Sequence, residues 1–126
     1  MIRYLLGVGV TVALLSFGLV AQARAADAPD IAGEYKCEGT GSAGGTYSGT
    51  VQIAKKGETY EISWTLNSGE TYKGLGILQG DVLAVTFSGG NGSGVVAYKV
   101  DKGGKLSGKW SLPEANGKVY TETLTK

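Results

Sequence analysis

Glu122 is the residue whose place in the sequence points most directly to a binding site. It shares the alternating phase of Tyr120 and Leu124, so on a regular strand all three side chains point to the same apolar side. A carboxylate on that side costs several kcal/mol unless it is paired or hydrogen-bonded. Three interpretations follow: a solvated rim position, a bulge that turns Glu122 outward, or the polar anchor of a pocket with tyrosine hydroxyls as partners.

Tyrosine and tryptophan recur in the same inward phase along the chain. A buried tyrosine hydroxyl needs a hydrogen-bond partner and can serve as a fixed polar point in a pocket. The same rings could instead fill a core that binds nothing. The candidate interior binding residues are Tyr35, Tyr47, Tyr60, Trp64, Tyr72, Tyr98, Trp110, Tyr120 and Glu122.

The residue types that are missing narrow the function further. The chain has no histidine, and its two arginines are Arg3 and Arg24, near the N-terminus. This composition excludes catalytic sites built on Ser-His-Asp or Cys-His and zinc sites that need imidazole. Beyond Ala25 the chain has ten lysines, eleven acidic residues and no arginine. A net charge this close to zero, without arginine, argues against nucleic acid as a partner. Since Glu61 has the opposite phase to Glu122, no catalytic carboxylate pair is expected, and we predict a protein that is not an enzyme and uses no cofactor or metal.

Cys37 is the one cysteine of the chain. In an oxidising compartment it could form an intermolecular disulfide or act as a reactive thiol. Its inward phase favours a buried, small apolar residue instead.

The N-terminal segment has the pattern of a secretory signal peptide. Arg3 gives it a positive start, 4–20 is almost uncharged and apolar, and Ala23-Arg24-Ala25 places small residues at cleavage spacing. A membrane anchor is the alternative, but the apolar run is at the short limit for a spanning helix and has no stop-transfer flank. We therefore expect residues 1–25 to be removed, leaving residues 26–126 as one exported domain, periplasmic or secreted, without a membrane anchor.

The sequence of that domain predicts eight short strands. Apolar and polar residues alternate through most segments, and Gly, Asn and Asp clusters separate them. The predicted strands are 33–38, 46–54, 59–66, 71–78, 82–87, 95–100, 105–112 and 118–125. Connections this short join antiparallel neighbours, so the prediction is an all-β, single eight-stranded antiparallel up-and-down barrel rather than a two-sheet sandwich, because closure removes exposed edges.

Several segments resemble known proteins. The run from Tyr35 to Thr40 and the segments 47–51, 74–80 and 122–124 are similar to a group of small secreted bacterial proteins often labelled fibronectin-binding. The layout also resembles avidin-like and calycin barrels, although Tyr35 and Cys37 stand where a biotin site has Trp and Asn. The resemblance implies a barrel and, through its label, an adhesin for extracellular matrix.

Three non-enzymatic functions are therefore open. The first is a binding protein with a small apolar or aromatic ligand inside the barrel, or with a protein partner on its outer face. The second is the fibronectin or matrix adhesin, and the third is a structural envelope protein without a ligand. The sequence leaves the oligomeric state open.

Overall fold

The computed structural model describes residues 29–90 and 92–126, so the predicted signal peptide lies outside the described residues. Eight strands and one short 3-10 turn follow one another along the chain. They are β1 (Gly33–Thr40), β2 (Thr46–Lys56), β3 (Thr59–Leu66), β4 (Thr71–Gln79), β5 (Val82–Gly89), β6 (Gly92–Val100), β7 (Leu106–Ser111), the 3-10 turn (Pro113–Ala115) and β8 (Tyr120–Thr125). Within these ranges no helix is long and apolar enough to cross a membrane.

The strands form a closed barrel in which each pairs antiparallel with the next, and β8 pairs with β1. The closing ladder aligns Cys37 with Leu124 and Gly39 with Glu122. Closure leaves no unpaired edge strand. The predicted eight-stranded up-and-down barrel is confirmed, and the alternative of two separate sheets is wrong.

Three strands begin at a residue other than the predicted one, and five end one or two residues away from the predicted end. β6 begins at Gly92 rather than Val95, because the segment 92–94 continues the ladder opposite β5. β8 begins at Tyr120 rather than Lys118, because the chain first turns through Pro113–Ala115 and a left-handed Asn116. β7 begins one residue late, since the Lys105 amide donates to the Asp101 side chain within the preceding loop.

One end of the barrel is filled by side chains. Ile31, ahead of β1, packs across this end, and the Tyr35 hydroxyl donates to its carbonyl oxygen at 2.8 Å. Ile62, Leu83 and Leu106 are fully buried in the same core. This half is a packed apolar core, whereas the opposite end, where the β1–β2, β3–β4 and β7–β8 connections lie, is lined by larger rings and leaves space between them.

Candidate functional site

Glu122 lies inside the barrel, 5% exposed, and three side chains donate hydrogen bonds to it. The Tyr47 hydroxyl donates to Oε1 at 2.7 Å, the Trp64 Nε1–H donates to Oε2 at 3.0 Å, and the Tyr98 hydroxyl also donates to Oε2. An indole N–H can only donate, and an ionised carboxylate only accepts, so the arrangement fits the charged form. The rim and bulge interpretations are wrong, and Glu122 is a buried polar centre with tyrosine partners.

Two glycines make this centre possible. Glu122 on β8 is flanked in the ladder by Gly39 of β1 and Gly108 of β7. Tyr47 pairs with Gly39, and Tyr98 pairs with Gly108. Each tyrosine therefore reaches Glu122 from two strands away, by lying across the glycine between them.

The fit over the glycines is tight. A Cβ on Gly108 would lie 2.6 Å from Cδ1 and 2.8 Å from Cε1 of Tyr98, and one on Gly39 would collide with the Tyr47 ring and its hydroxyl. Real Cβ atoms do not approach other atoms so closely, so either ring would have to move away from Glu122. We call the row of Tyr47, Gly39, Glu122, Gly108 and Tyr98 the carboxylate row.

The carboxylate row changes the acidity of its neighbours. Burial, together with the negative charge and hydrogen bond of Glu122, raises the pKa of Tyr98 and of Tyr47 well above the usual range of a phenol. Burial and the same charge also raise the pKa of the Cys37 thiol, which is 1% exposed. Cys37 is free and buried, in agreement with its reading as a small apolar residue, and it has little thiolate character.

A cluster of aromatic rings stands above the carboxylate row. Phe87 lies between the two tryptophans, with its ring centre 5.9 Å from that of Trp64 and 6.1 Å from that of Trp110. Tyr72 meets the Phe87 ring at 5.9 Å, and Tyr47 meets Trp110 at 6.2 Å. These contacts are edge-to-face, a geometry that adds about 0.5–1.5 kcal/mol per pair beyond area burial.

Trp110 differs from Trp64 in one respect. Among the buried side-chain polar atoms of the part that the structure describes, its Nε1 is the one without a hydrogen-bond partner. The Trp110 N–H lowers the pKa of Tyr47, against the larger opposite effects of burial and Glu122. It nevertheless makes no hydrogen bond to the Tyr47 hydroxyl. A buried donor left unpaired costs about 1–3 kcal/mol.

The rings enclose a cavity of about 430 Å³ at the open end of the barrel. Glu122 lies at its inner surface, and the β1–β2 loop and Glu70 lie at its mouth. The Tyr72 hydroxyl donates to Glu70 Oε1 at 3.1 Å. The aromatic side chains that line the cavity are Tyr47, Trp64, Tyr72, Phe87 and Trp110. Aliphatic contacts come from Leu66, Val96 and Leu112.

The structure separates the nine sequence-predicted site residues into groups. Five of them line the cavity, namely Tyr47, Trp64, Tyr72, Trp110 and Glu122. Tyr98 is fully buried behind them on Glu122, and Tyr120 packs against Trp110 with a centre distance of 4.9 Å. Tyr35 and Tyr60 lie in the filled half, each beneath a lysine, at 5.2 Å from Lys126 and 5.1 Å from Lys55. The role in ligand binding that the sequence suggests for these nine residues stays a prediction.

Sequence reasoning missed other residues of the site. Phe87 and Leu66 have the inward phase, so a rule that admitted apolar as well as tyrosine side chains would have included them. The glycines of the carboxylate row carried a subtler signal, a small residue in the inward phase of a strand. Glu70 and the β1–β2 loop had no signal, because loops do not alternate. Within 29–90 and 92–126, no group of three or more potential metal ligands comes together.

Comparison with known proteins supports the fold. The sequence matches no protein family model and no curated protein. Solved structures do match: a redesigned β-barrel with a TM-score of 0.65 at 18% identity, covering 76% of this chain and 90% of that one. A second redesigned β-barrel, mFAP1 bound to DFHBI, gives a TM-score of 0.64 at 20% identity over 76% and 94% of the two chains.

A third structure, EF1p2_mFAP2b bound to DFHBI, gives a TM-score of 0.57 at 16% identity over 76% and 93%. At these identities the likeness concerns the fold alone. Since no family matches, the resemblance to fibronectin-labelled proteins stays a prediction.

The carboxylate row predicts that Gly108 tolerates no side chain. Gly108→Ala should lower the free energy of unfolding by about 1–3 kcal/mol, the usual cost of overpacking, because the Tyr98 ring has no room to retreat. Gly90→Ala, where a Cβ would meet nothing within 4 Å, is the matched control and should change stability by less than about 0.5 kcal/mol. Urea denaturation followed by circular dichroism measures both. Equal stabilities for the two variants would contradict the tight fit.

The two tryptophans should respond differently to loss of the indole N–H. Trp64→Phe removes a donor to a buried charge and should cost about 2–3 kcal/mol. Trp110→Phe removes an unpaired N–H, which offsets much of the lost packing, and should cost less than about 1 kcal/mol. Denaturation of both variants checks this. A larger loss for Trp110→Phe would mean that its N–H has a partner in solution.

Stability should fall at alkaline pH. The pKa values of Tyr47 and Tyr98 are raised on folding, so their contribution is fully present below the unfolded pKa of about 10 and is lost as the pH rises above it, by up to about 1.4 kcal/mol per pH unit for each phenol. Phenolate absorbance from these two residues should appear only together with loss of the strand signal in circular dichroism. Tyr98→Phe should reduce that cooperative step. Reversible ionisation of every tyrosine near pH 10 in folded protein would contradict the burial.

Proposed function

We propose that this protein is a non-enzymatic binding protein that takes a small aromatic molecule into the open end of its barrel. The observation that carries the proposal is the cavity of about 430 Å³ with five aromatic side chains in its wall. Its volume lies in the range of small-molecule sites, about 300–1,000 Å³. Flat rings in the wall favour flat, apolar or aromatic ligands, which can stack or meet them edge to face.

The walls are held in place before any ligand arrives. Tyr47 and Trp64 are fixed by their hydrogen bonds to Glu122, and Phe87 is held between Trp64 and Trp110. A preformed site costs less ordering of side chains on binding. Binding is a better account than catalysis, because both oxygens of Glu122 are already engaged by donors, and a general acid or base must be free to exchange a proton with substrate.

Two barrels of the same architecture support the proposal by analogy. The structures of mFAP1 and EF1p2_mFAP2b hold DFHBI, a small aromatic dye. Both are distant in sequence, and mFAP1 is a redesigned barrel, so they support only the idea that a barrel of this size can accommodate such a molecule. We place the activity outside the cytoplasm, periplasmic or secreted, on the strength of the signal-peptide pattern in Met1–Ala25.

The outer face of β4 to β6 favours a second candidate, a protein partner. Leu75 and Ile77 on β4 are 54% and 59% exposed, and Val82 and Val95 on the next two strands are exposed as well. The register places Val95 in the same row as Leu75, with Thr86 between them. Exposed apolar surface of this kind often marks an interaction site. An adhesin for fibronectin or another matrix protein would use this face rather than the cavity.

The test of the cavity is the binding of an uncharged aromatic dye, N-phenyl-1-naphthylamine, to purified residues 26–126. We expect saturable binding of one dye per chain with a rise in dye fluorescence. Leu66→Trp adds bulk at the mouth of the cavity and should weaken binding at least tenfold.

Leu75→Trp is the matched control, because it makes the same change on the outer face. It should leave dye binding within about twofold of the unchanged protein. Absence of saturable binding would refute the cavity proposal. Loss of binding in Leu75→Trp, with Leu66→Trp unaffected, would place the dye on the outer face and favour the second candidate.

A further inference from the structure

The inner surface of the cavity carries a carboxylate. It belongs to Glu122, and no lysine is among the lining residues of the cavity. Among the described residues, Lys56 forms an ion pair with Glu61 and Lys99 with Asp81, and Glu122 takes part in neither pair. Glu122 therefore presents a negative charge to a ligand in the cavity.

The donors on Glu122 do not remove its charge. Tyr47, Trp64 and Tyr98 are neutral groups that share hydrogens with the carboxylate but carry no positive charge. Glu122 is 5% exposed, so little solvent is present to screen its negative charge. Charges interact more strongly in such surroundings than in water, and the nearest site for a compensating cation is the cavity itself.

The aromatic wall acts in the same direction. The faces of Trp, Tyr and Phe rings carry partial negative charge and attract ammonium groups, and cages of such rings are used to bind quaternary ammonium ligands. Here two tryptophans, two tyrosines and Phe87 surround one space with the carboxylate at its inner surface. The Nε1–H of Trp110 could have favoured an anion, but it is sealed from the cavity surface.

We propose, building on the proposed function, that the ligand of this cavity is an organic cation with an apolar or aromatic body, such as a quaternary or protonated amine. The ammonium end lies among the rings, towards Glu122, and the apolar body extends to Leu66 and Leu112 near the mouth. A neutral molecule of the same shape binds more weakly, and an anion is excluded by Glu122 and by the ring faces.

The test compares three probes of nearly the same shape and different charge: phenyltrimethylammonium, tert-butylbenzene and benzenesulfonate. Both tryptophans of the chain line the cavity, so intrinsic fluorescence reports on its occupancy, and calorimetry gives the affinities. We expect the cation to bind at least tenfold more tightly than tert-butylbenzene, and benzenesulfonate not to bind measurably. The preference should shrink as salt is added.

Variants locate the source of the preference. Glu122→Gln should weaken the cation at least tenfold more than it weakens tert-butylbenzene, whose affinity reports any movement of the rings that Glu122 holds. Because Glu122 also holds the fold, circular dichroism must show that this variant is folded under the conditions of the assay. Glu58→Gln, exposed in the β2–β3 turn at the opposite end, makes the same change in net charge and should alter neither affinity.

Each outcome decides one statement. Equal affinities for the cation and the neutral probe, or tighter binding of the neutral one, would overturn the charge preference and leave the cavity proposal standing, provided that N-phenyl-1-naphthylamine binds. Failure of that dye and of all three probes would overturn both. A loss in Glu58→Gln as large as that in Glu122→Gln would also overturn the proposal, because the attraction would then come from net charge alone.

Discussion

The structure depends on one buried carboxylate. Glu122 would be strongly destabilising inside an apolar barrel, and it is tolerated because Tyr47, Trp64 and Tyr98 donate to it from three different strands. The same hydrogen bonds fix these three rings in position. Removing one donor from a buried charge costs about 2–3 kcal/mol, so the network and the fold are coupled. The carboxylate therefore organises the open half of the barrel in the way that close packing organises the filled half.

The two halves divide the work of stability and recognition. The filled end, around Tyr35 and Ile31, packs buried apolar side chains against one another. At the open end, large rings are held in position by edge-to-face contacts and by hydrogen bonds to Glu122, and a cavity lies between them. This end also contains the unpaired N–H donor of Trp110. Such a donor weakens the fold without helping it.

The glycines explain how a barrel this small can hold the network. Side chains in an eight-stranded barrel nearly fill its interior, so a carboxylate and two phenols can meet only if neighbouring positions are empty. Gly39 and Gly108 supply that room on either side of Glu122. The phenols can therefore reach the carboxylate only because the positions between them carry no side chain. The charge and the aromatic wall of the cavity follow from this arrangement.

The sequence by itself determined the strands, their inward and outward faces and the closed antiparallel barrel, because alternation and short turns are local signals that each segment carries alone. It also indicated that Glu122 shares the inward phase with many tyrosines. Only the tertiary structure decided which tyrosines meet Glu122, because Tyr47 and Tyr98 reach it across glycines two strands away, and that depends on the register of the closing ladder. The tertiary structure also decided that Tyr35 lies in the filled end. It brought Glu70 to the cavity, although Glu70 is a loop residue outside the alternating strand pattern.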